Sequence, residues 1–332
     1  MELVEFGADD SEHLEAFLAV ARAADAVDCP WEPRRTAYRQ AMSVRHGWEG
    51  EPGRWFVAYD GGEPVGVASL DASNYDNLEM AWVQLAVAPD LRGRGRGSAL
   101  LAGLEDVALG LGRPLVLLSG WEGPGLEGLA ARHGYLRRST EVRRVLVVAQ
   151  APDPRGLRAE ARVHAGDYQL LRLGPHTPES LLPGLVAVTE AINDAPLDDL
   201  EWEPEAHDPA RLRAYERVQE DSGFRLRRVV ARHRPTGELA GHTVVVVDGD
   251  QPTVAAQHDT SVVRAHRGHR LGLLLKADML LWLADVEPQL ERIFTENAES
   301  NGPMVAVNER LGYRPVGRVA QYQRRLGRVA GS

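Results

Sequence analysis

The chain has 332 residues, enough for two ordinary domains with separate cores. A formal net charge of -10 argues against a general nucleic-acid binder, and 44% apolar residues is ordinary for a globular protein. No run of eighteen apolar residues marks a membrane span, and the acidic start MELVEFGADDSEHLEAF does not read as a signal segment, so a cytoplasmic location is expected.

Cys29 is the only cysteine, which excludes an internal disulfide or a cysteine-rich metal site; no metal is expected. Lys276 is the only lysine, so arginines must carry any phosphate binding by side chains.

The first half opens with an expected helix around 11–27. RWFVAYD (54–60) and EPVGVASLD (63–71) read as two strands joined by a Gly-Gly hairpin turn. EMAWVQLAV (79–87) alternates as a further strand. A glycine-arginine loop and a helix over about 95–110 follow. RPLVLLSG (113–120) reads as a buried strand, LEGLAARHG (126–134) as a helix stopped by Gly134, and 135–148 as closing strands. QAPDPRGLRAE (150–160) has a linker's composition.

The second half repeats this order. Helices are expected at 178–193 and 211–223, and a hairpin at 224–233 and 238–247. Then come a strand at 256–263, a loop, a helix at 270–285, a strand within 290–298 and a helix over 302–312. At a constant offset of 175, Gly62-Glu63-Pro64-Val65-Gly66 meets Gly237-Glu238-Leu239-Ala240-Gly241, Arg92-Gly93 meets Arg267-Gly268, and Gly97 meets Gly272. Later the offset grows to 178, where Gly134-Tyr135 meets Gly312-Tyr313. Ordered anchors of this kind indicate a duplicated domain. The expected fold is α+β: two domains, at 1–150 and 161–328 with a linker at 151–160, each a mixed sheet flanked by helices.

Arg92-Gly93-Arg94-Gly95-Arg96-Gly97 follows a strand and opens a helix. Glycines let the backbone close around a ligand, and free N–H groups at a helix start suit a pyrophosphate. The arginines add attraction and bidentate contacts. A Walker loop is excluded because no Gly-Lys-Ser/Thr ends either copy. A dinucleotide fold is excluded because each loop follows the third or a later strand.

These residues resemble the phosphate loop of the GNAT superfamily of acyl-CoA-dependent N-acetyltransferases, whose pattern is Arg/Gln-x-x-Gly-x-Gly/Ala. Residues 92–97 match it in full. The second copy, Arg267-Gly268-His269-Arg270-Leu271-Gly272, has Arg270 where the middle glycine belongs. Asp259-Thr260-Ser261-Val262 and the run from Thr295 to Asn301 make the second half similar to tandem actinobacterial GNAT proteins, the group that includes mycothiol synthase.

The resemblance implies two GNAT-like domains, each with a mostly antiparallel sheet and a central pair of parallel strands that splay apart to take acetyl-CoA as co-substrate, in one domain or both. It implies cofactor contacts at Leu85, Ala86, Val87, Arg92 to Gly97 and Ser98 in the first half. In the second half it implies them at Val262, Arg267 to Gly272, Asn297 and Asn301. The implied reaction is transfer of an acetyl group to a primary amine of a small molecule through a tetrahedral intermediate. The alternative is a non-catalytic acetyl-CoA-binding scaffold, or one active and one degenerate domain. A monomer or weak homodimer is expected.

An amine must lose a proton before attack, so a base is required. The candidates are Glu79, at the start of the first copy's strand, and His258, placed by the constant offset opposite Val83. On a regular strand Asp259 faces away from His258. The family's tyrosine acid has no counterpart: Ala130 and Asn308 hold its position. The first half has the sharper phosphate loop and the second the richer polar chemistry, and the resemblance favours the second as catalytic.

Overall fold

The computed structural model describes residues 1–327; the expected end of the second domain at residue 328 lies outside them. In chain order the first elements are β1 (Glu2–Phe6), α1 (Ser11–Asp28), α2 (Ala37–His46), β2 (Arg54–Asp60), β3 (Glu63–Asp71) and β4 (Met80–Val87). They continue with α3 (Arg96–Gly110), β5 (Leu115–Trp121), α4 (Pro124–Arg132) and β6 (Leu136–Val147). After these come α5 (Pro154–Arg162), β7 (Tyr168–Leu173), α6 (Leu182–Glu190), α7 (Pro209–Asp221), β8 (Phe224–His233) and β9 (Leu239–Asp248). The last are β10 (Val254–Val262), α8 (Leu271–Val286), β11 (Arg292–Ala298), α9 (Gly302–Arg310) and β12 (Arg314–Arg325).

Local chemistry sets many of these ends. Asp10 caps α1 by accepting from His13 N–H, Thr36 caps α2, and Asp208 with Pro209 opens α7. The turn between β2 and β3 has positive φ at both Gly61 and Gly62, as a two-residue hairpin turn requires. The expected linker is a correction: most of it is α5. Asp153 accepts from Arg155 N–H, Pro154 fills the first turn, and Arg158 reaches buried Asp278 at 2.7 Å.

Two compact units result. The first comprises Met1–Glu141, Leu197–Glu203 and, of the described residues, 317–327; the second comprises Val142–Pro196 and Pro204–Val316. The first contributes the strand order β1-β2-β3-β4-β5-β12, and the second the order β6-β11-β10-β9-β8-β7. Thus the strand that ends the second half of the sequence closes the first unit's sheet. β12 pairs antiparallel with β5 from Val319–Trp121 to Arg325–Leu115. Conversely β6 crosses into the second unit at Val142. These units are not the contiguous segments 1–150 and 161–328.

In each unit helices cover both faces of the sheet. In the first, α3 packs Leu100, Leu101 and Leu104 on Val83, Val116 and Leu118, while α1 packs Phe17 and Leu18 near Val57 and Val67 on the other face. In the second, α8 packs Leu273, Leu274 and Leu275 near Val245 and Ile293. The opposite face is covered by α6 and α7, through Leu185 near Val230 and Tyr215 near Val244 and Val246.

Among the described residues no helix is long and apolar enough to cross a membrane. Cys29 is buried, and burial pushes its thiol up to about 12, which suits a packing role.

Candidate active site

Each unit contains one parallel strand pair that separates part-way. β4 and β5 pair from Met80–Leu115 to Val83–Leu118 and then diverge. β10 and β11 pair from Val254–Arg292 to Ala256–Phe294 and then diverge. β4 and β10 each run on past the split, at Leu85, Ala86 and Val87 or at Val262, into the loop that opens α3 or α8.

The two loops share one conformation. Gly93 and Gly95 have φ of 73° and 81°, and their counterparts Gly268 and Arg270 have 86° and 54°. Arg270 therefore holds a left-handed backbone that disfavours a side chain, so the altered copy keeps its shape at a conformational cost. Gly95 and Arg270 are the residues just before α3 and α8. The N–H groups of Arg96, Gly97 and Ser98, and of Leu271, Gly272 and Leu273, lie in first turns where no intrahelical acceptor exists. Both loops thus end in open helix N-termini without a side-chain cap, a geometry that attracts anions.

The loop arginines are arranged differently from the expectation. Arg92 Nε donates to Val87 O at 3.0 Å and its guanidinium pairs bidentately with Asp28. Arg267 repeats this, with Nε on Val262 O at 3.0 Å and an ion pair to Asp194. Both fasten the loop to the preceding strand and are already engaged. Arg96 pairs with Asp60, and Arg270 with Glu160. Arg94 and His269 are exposed, with His269 Nδ1 3.2 Å from His164 O.

The candidate bases separate clearly. Glu79 precedes β4 at the end away from the split, four residues before Val83, roughly 13 Å along a strand, and pairs with Arg325 at 2.7 Å. It is removed from the site. His258 stands at the split, but not where the constant offset put it. Val83 pairs with Leu70, and the residue pairing with the corresponding Val245 is Gln257. A bulge then inserts one residue before Thr260 regains register. His258 and Asp259 together occupy the place of Gln84.

The bulge overturns the expectation that Asp259 faces away. Tyr215 Oη on α7 lies 2.6 Å from His258 Nδ1. Asp259 Oδ2 lies 2.5 Å from His242 Nε2 and 3.4 Å from Ser261 Oγ, whose hydroxyl donates to Val188 O on α6 at 2.6 Å. Both side chains thus lie on the α6/α7 face. Burial pulls the His258 imidazole down to about 4, against a smaller upward pull from Asp259, so the ring is neutral at pH 7. His242 is 2% exposed, and neither its Nδ1 nor Asp259 Oδ1 has a protein hydrogen-bond partner.

Sequence reasoning missed His242 and Tyr215. Across the split, Glu296 of β11 projects from the same sheet face as Phe294 and pairs with Arg143 at 3.5 Å. The equivalent pair in the first unit is Gln84 on β4 and Ser119 on β5, both uncharged; Ser119 is buried and its Oγ has no protein partner.

Ala130 and Asn308 are fully buried at the position of the missing tyrosine. Asn308 Nδ2 donates to Asn297 Oδ1 at 2.6 Å, so these two meet, whereas Asn301 caps α9 by accepting from Met304 N–H.

Residues 20–120 match the acetyltransferase (GNAT) family. The chain is 28% identical over 321 residues to mycothiol acetyltransferase of Nocardia farcinica, covering 92% of this chain and 91% of that protein. It is 27% identical to a tandem GNAT protein from the clavulanic acid biosynthesis pathway, with 98% of each chain covered and a TM-score of 0.79. A GCN5-related N-acetyltransferase from Sphaerobacter thermophilus shares the fold at a TM-score of 0.65 with 16% identity, over 97% of this chain and 95% of that one.

Proposed function

We propose that this chain, a tandem GNAT-fold protein with an acetyltransferase domain, moves an acetyl group from acetyl-CoA to a primary amine of a small molecule. The observation that carries the reading is the same in both units: a parallel pair that splits just before a left-handed loop feeding a helix start. The split takes the pantetheine arm and thioester, and the N–H groups of residues 93–98 or 268–273 take the pyrophosphate. A backbone N–H on β4 or β10 past the split steadies the oxyanion of the tetrahedral intermediate. The likeness to mycothiol acetyltransferase supports a small-molecule acceptor.

The second unit is the seat of the chemistry in this reading. His258 stands at its split and is held by Tyr215. Being neutral at pH 7, with Nδ1 engaged by Tyr215, it orients the reacting groups by hydrogen bonding. The first unit offers Gln84 and Ser119 at the matching places. It binds acetyl-CoA through its three-glycine loop without turning it over.

Labelled acetyl-CoA, an amine panel, and Gly95→Trp and Gly272→Trp variants test this. Loss of transfer in Gly272→Trp is expected, with transfer surviving in Gly95→Trp. Tight acetyl-CoA binding without transfer to any amine would favour a scaffold instead.

A further inference from the structure

Beside the split the two copies differ in charge at one pair of positions. On the lips of the first unit's split stand Gln84 and Ser119; on the lips of the second stand Asp259 and Glu296. The one-residue bulge is what brings Asp259 there. Its carboxylate is oriented through Oδ2 by buried His242 at 2.5 Å, while Oδ1 has no donor from the protein. A shielded carboxylate oxygen lacking a donor is held out of its favoured state and is restored by a ligand N–H. About a fifth of the Asp259 side chain is solvent-exposed, at 22%. Glu296, at 37%, lies on β11 past the last paired residue, Phe294, and pairs with Arg143 at 3.5 Å.

We infer that the second unit takes a cationic acceptor, an alkylammonium, between Asp259 and Glu296, and that Asp259 removes its proton. The inference rests on the acetyl-transfer reading above and adds the acceptor's charge and the base. One N–H proton passes from the ammonium to Asp259. The freed nitrogen lone pair forms the C–N bond at the thioester carbon, and the carbonyl oxygen takes up the negative charge. As the intermediate collapses the C–S bond breaks, the sulfur keeps the pair, and the thiolate takes the second proton from nitrogen. Asp259 then returns its proton to water. Glu296 holds the ammonium without exchanging a proton. His242 is a positioning residue that fixes the carboxylate.

The test uses the full chain with labelled acetyl-CoA and three probe amines: spermidine, glucosamine and tyramine. Asp259→Asn is expected to lower kcat by about 10²–10⁴-fold, the usual worth of a general base, with acetyl-CoA affinity by calorimetry unchanged. Glu296→Gln is expected to raise the KM for the amine about five-fold or more and to leave kcat within about two-fold. Asp259→Ala is expected to regain activity with added formate, which a merely structural role would not allow. An Asp259→Asn enzyme within about three-fold of wild type overturns the inference, as does an Asp259→Ala enzyme that formate cannot rescue. A wild-type chain inactive with all three amines sinks the acetyl-transfer reading itself; an active one with an indifferent Asp259→Asn sinks only this inference.

Discussion

Replacing Gly95 and Gly97 by alanine, one at a time, should change stability in opposite directions although the two lie two residues apart in one loop. At Gly95 φ is 81°, and an added Cβ would meet no heavy atom within 4 Å. The change therefore carries no collision, only the backbone term, about 1–2 kcal/mol for an L-residue in the left-handed region. Reduced freedom of the unfolded chain returns about 0.4–1 kcal/mol, leaving a net loss of about 1 kcal/mol.

At Gly97, inside α3, a Cβ would sit 3.8 Å from Val87 Cγ2 and 3.9 Å from Leu129 Cδ1, which is ordinary contact. Alanine there gains roughly 0.5–1 kcal/mol of helix propensity. The two variants should therefore differ by about 1.5–2 kcal/mol, read as a shift of the urea midpoint at constant slope. On the acetyl-CoA reading proposed above, affinity should also fall for Gly95→Ala, because its Cβ would enter the space proposed for the phosphates. Equal midpoints for the two variants would refute the assignment of Gly95 as the left-handed hinge of the loop.

Arg270→Gly should change stability by less than about 1 kcal/mol: relief of the left-handed strain is offset by greater freedom of the unfolded chain and loss of the exposed Glu160 pair. A larger loss in urea titration would show that Arg270 contributes through contacts instead. Burial pulls Lys276 down to about 7, so the unfolded chain holds the extra proton between about 7 and its ordinary 10.5. Stability should rise with pH across that window, and Lys276→Met should flatten this rise and stabilise the protein at pH 7; parallel pH profiles for the two proteins would count against it. Tyr215→Phe removes the hydroxyl partner of His258 Nδ1 and should cost about 1–3 kcal/mol in denaturant titration, with slower acetyl transfer. A fragment of residues 1–150 lacks Ala320 and Tyr322, 0% and 6% exposed in the first unit's core, and should show no cooperative thermal transition by circular dichroism.

Much of the architecture was legible because period and punctuation agree locally. β2 and β3 have the expected bounds, since alternation runs up to a Gly-Gly turn that only a hairpin uses. The loops were legible from glycine spacing, but the function of Arg92 and Arg267 was not, because a sequence does not show Asp28 or Asp194 beside them. α5 was hidden by its charge and proline, although Asp153-Pro154 is itself a helix-start signal.

The bulge was masked by compensation. Asp71 and Trp82 pair eleven residues apart, whereas Val246 and Ala256 pair ten apart, so the connection before β10 is one residue shorter. The bulge restores that residue, and the offset of 175 looks unbroken on both sides. The position of β12 beside β5 is a pairing across some 200 residues, which local patterns do not encode.

The passage of β6 and β12 from one unit to the other bears on how such a gene can change. After duplication, copies usually drift apart freely, each tolerating or losing its own substitutions. Here codons 317–327 belong by position to the second copy, yet they build the first unit, while codons 142–147 build the second. Selection on either unit therefore reaches into both copies. A crossover at the repeat boundary, which would swap whole domains in a bead-like tandem protein, would here join sheets to closing strands that evolved elsewhere.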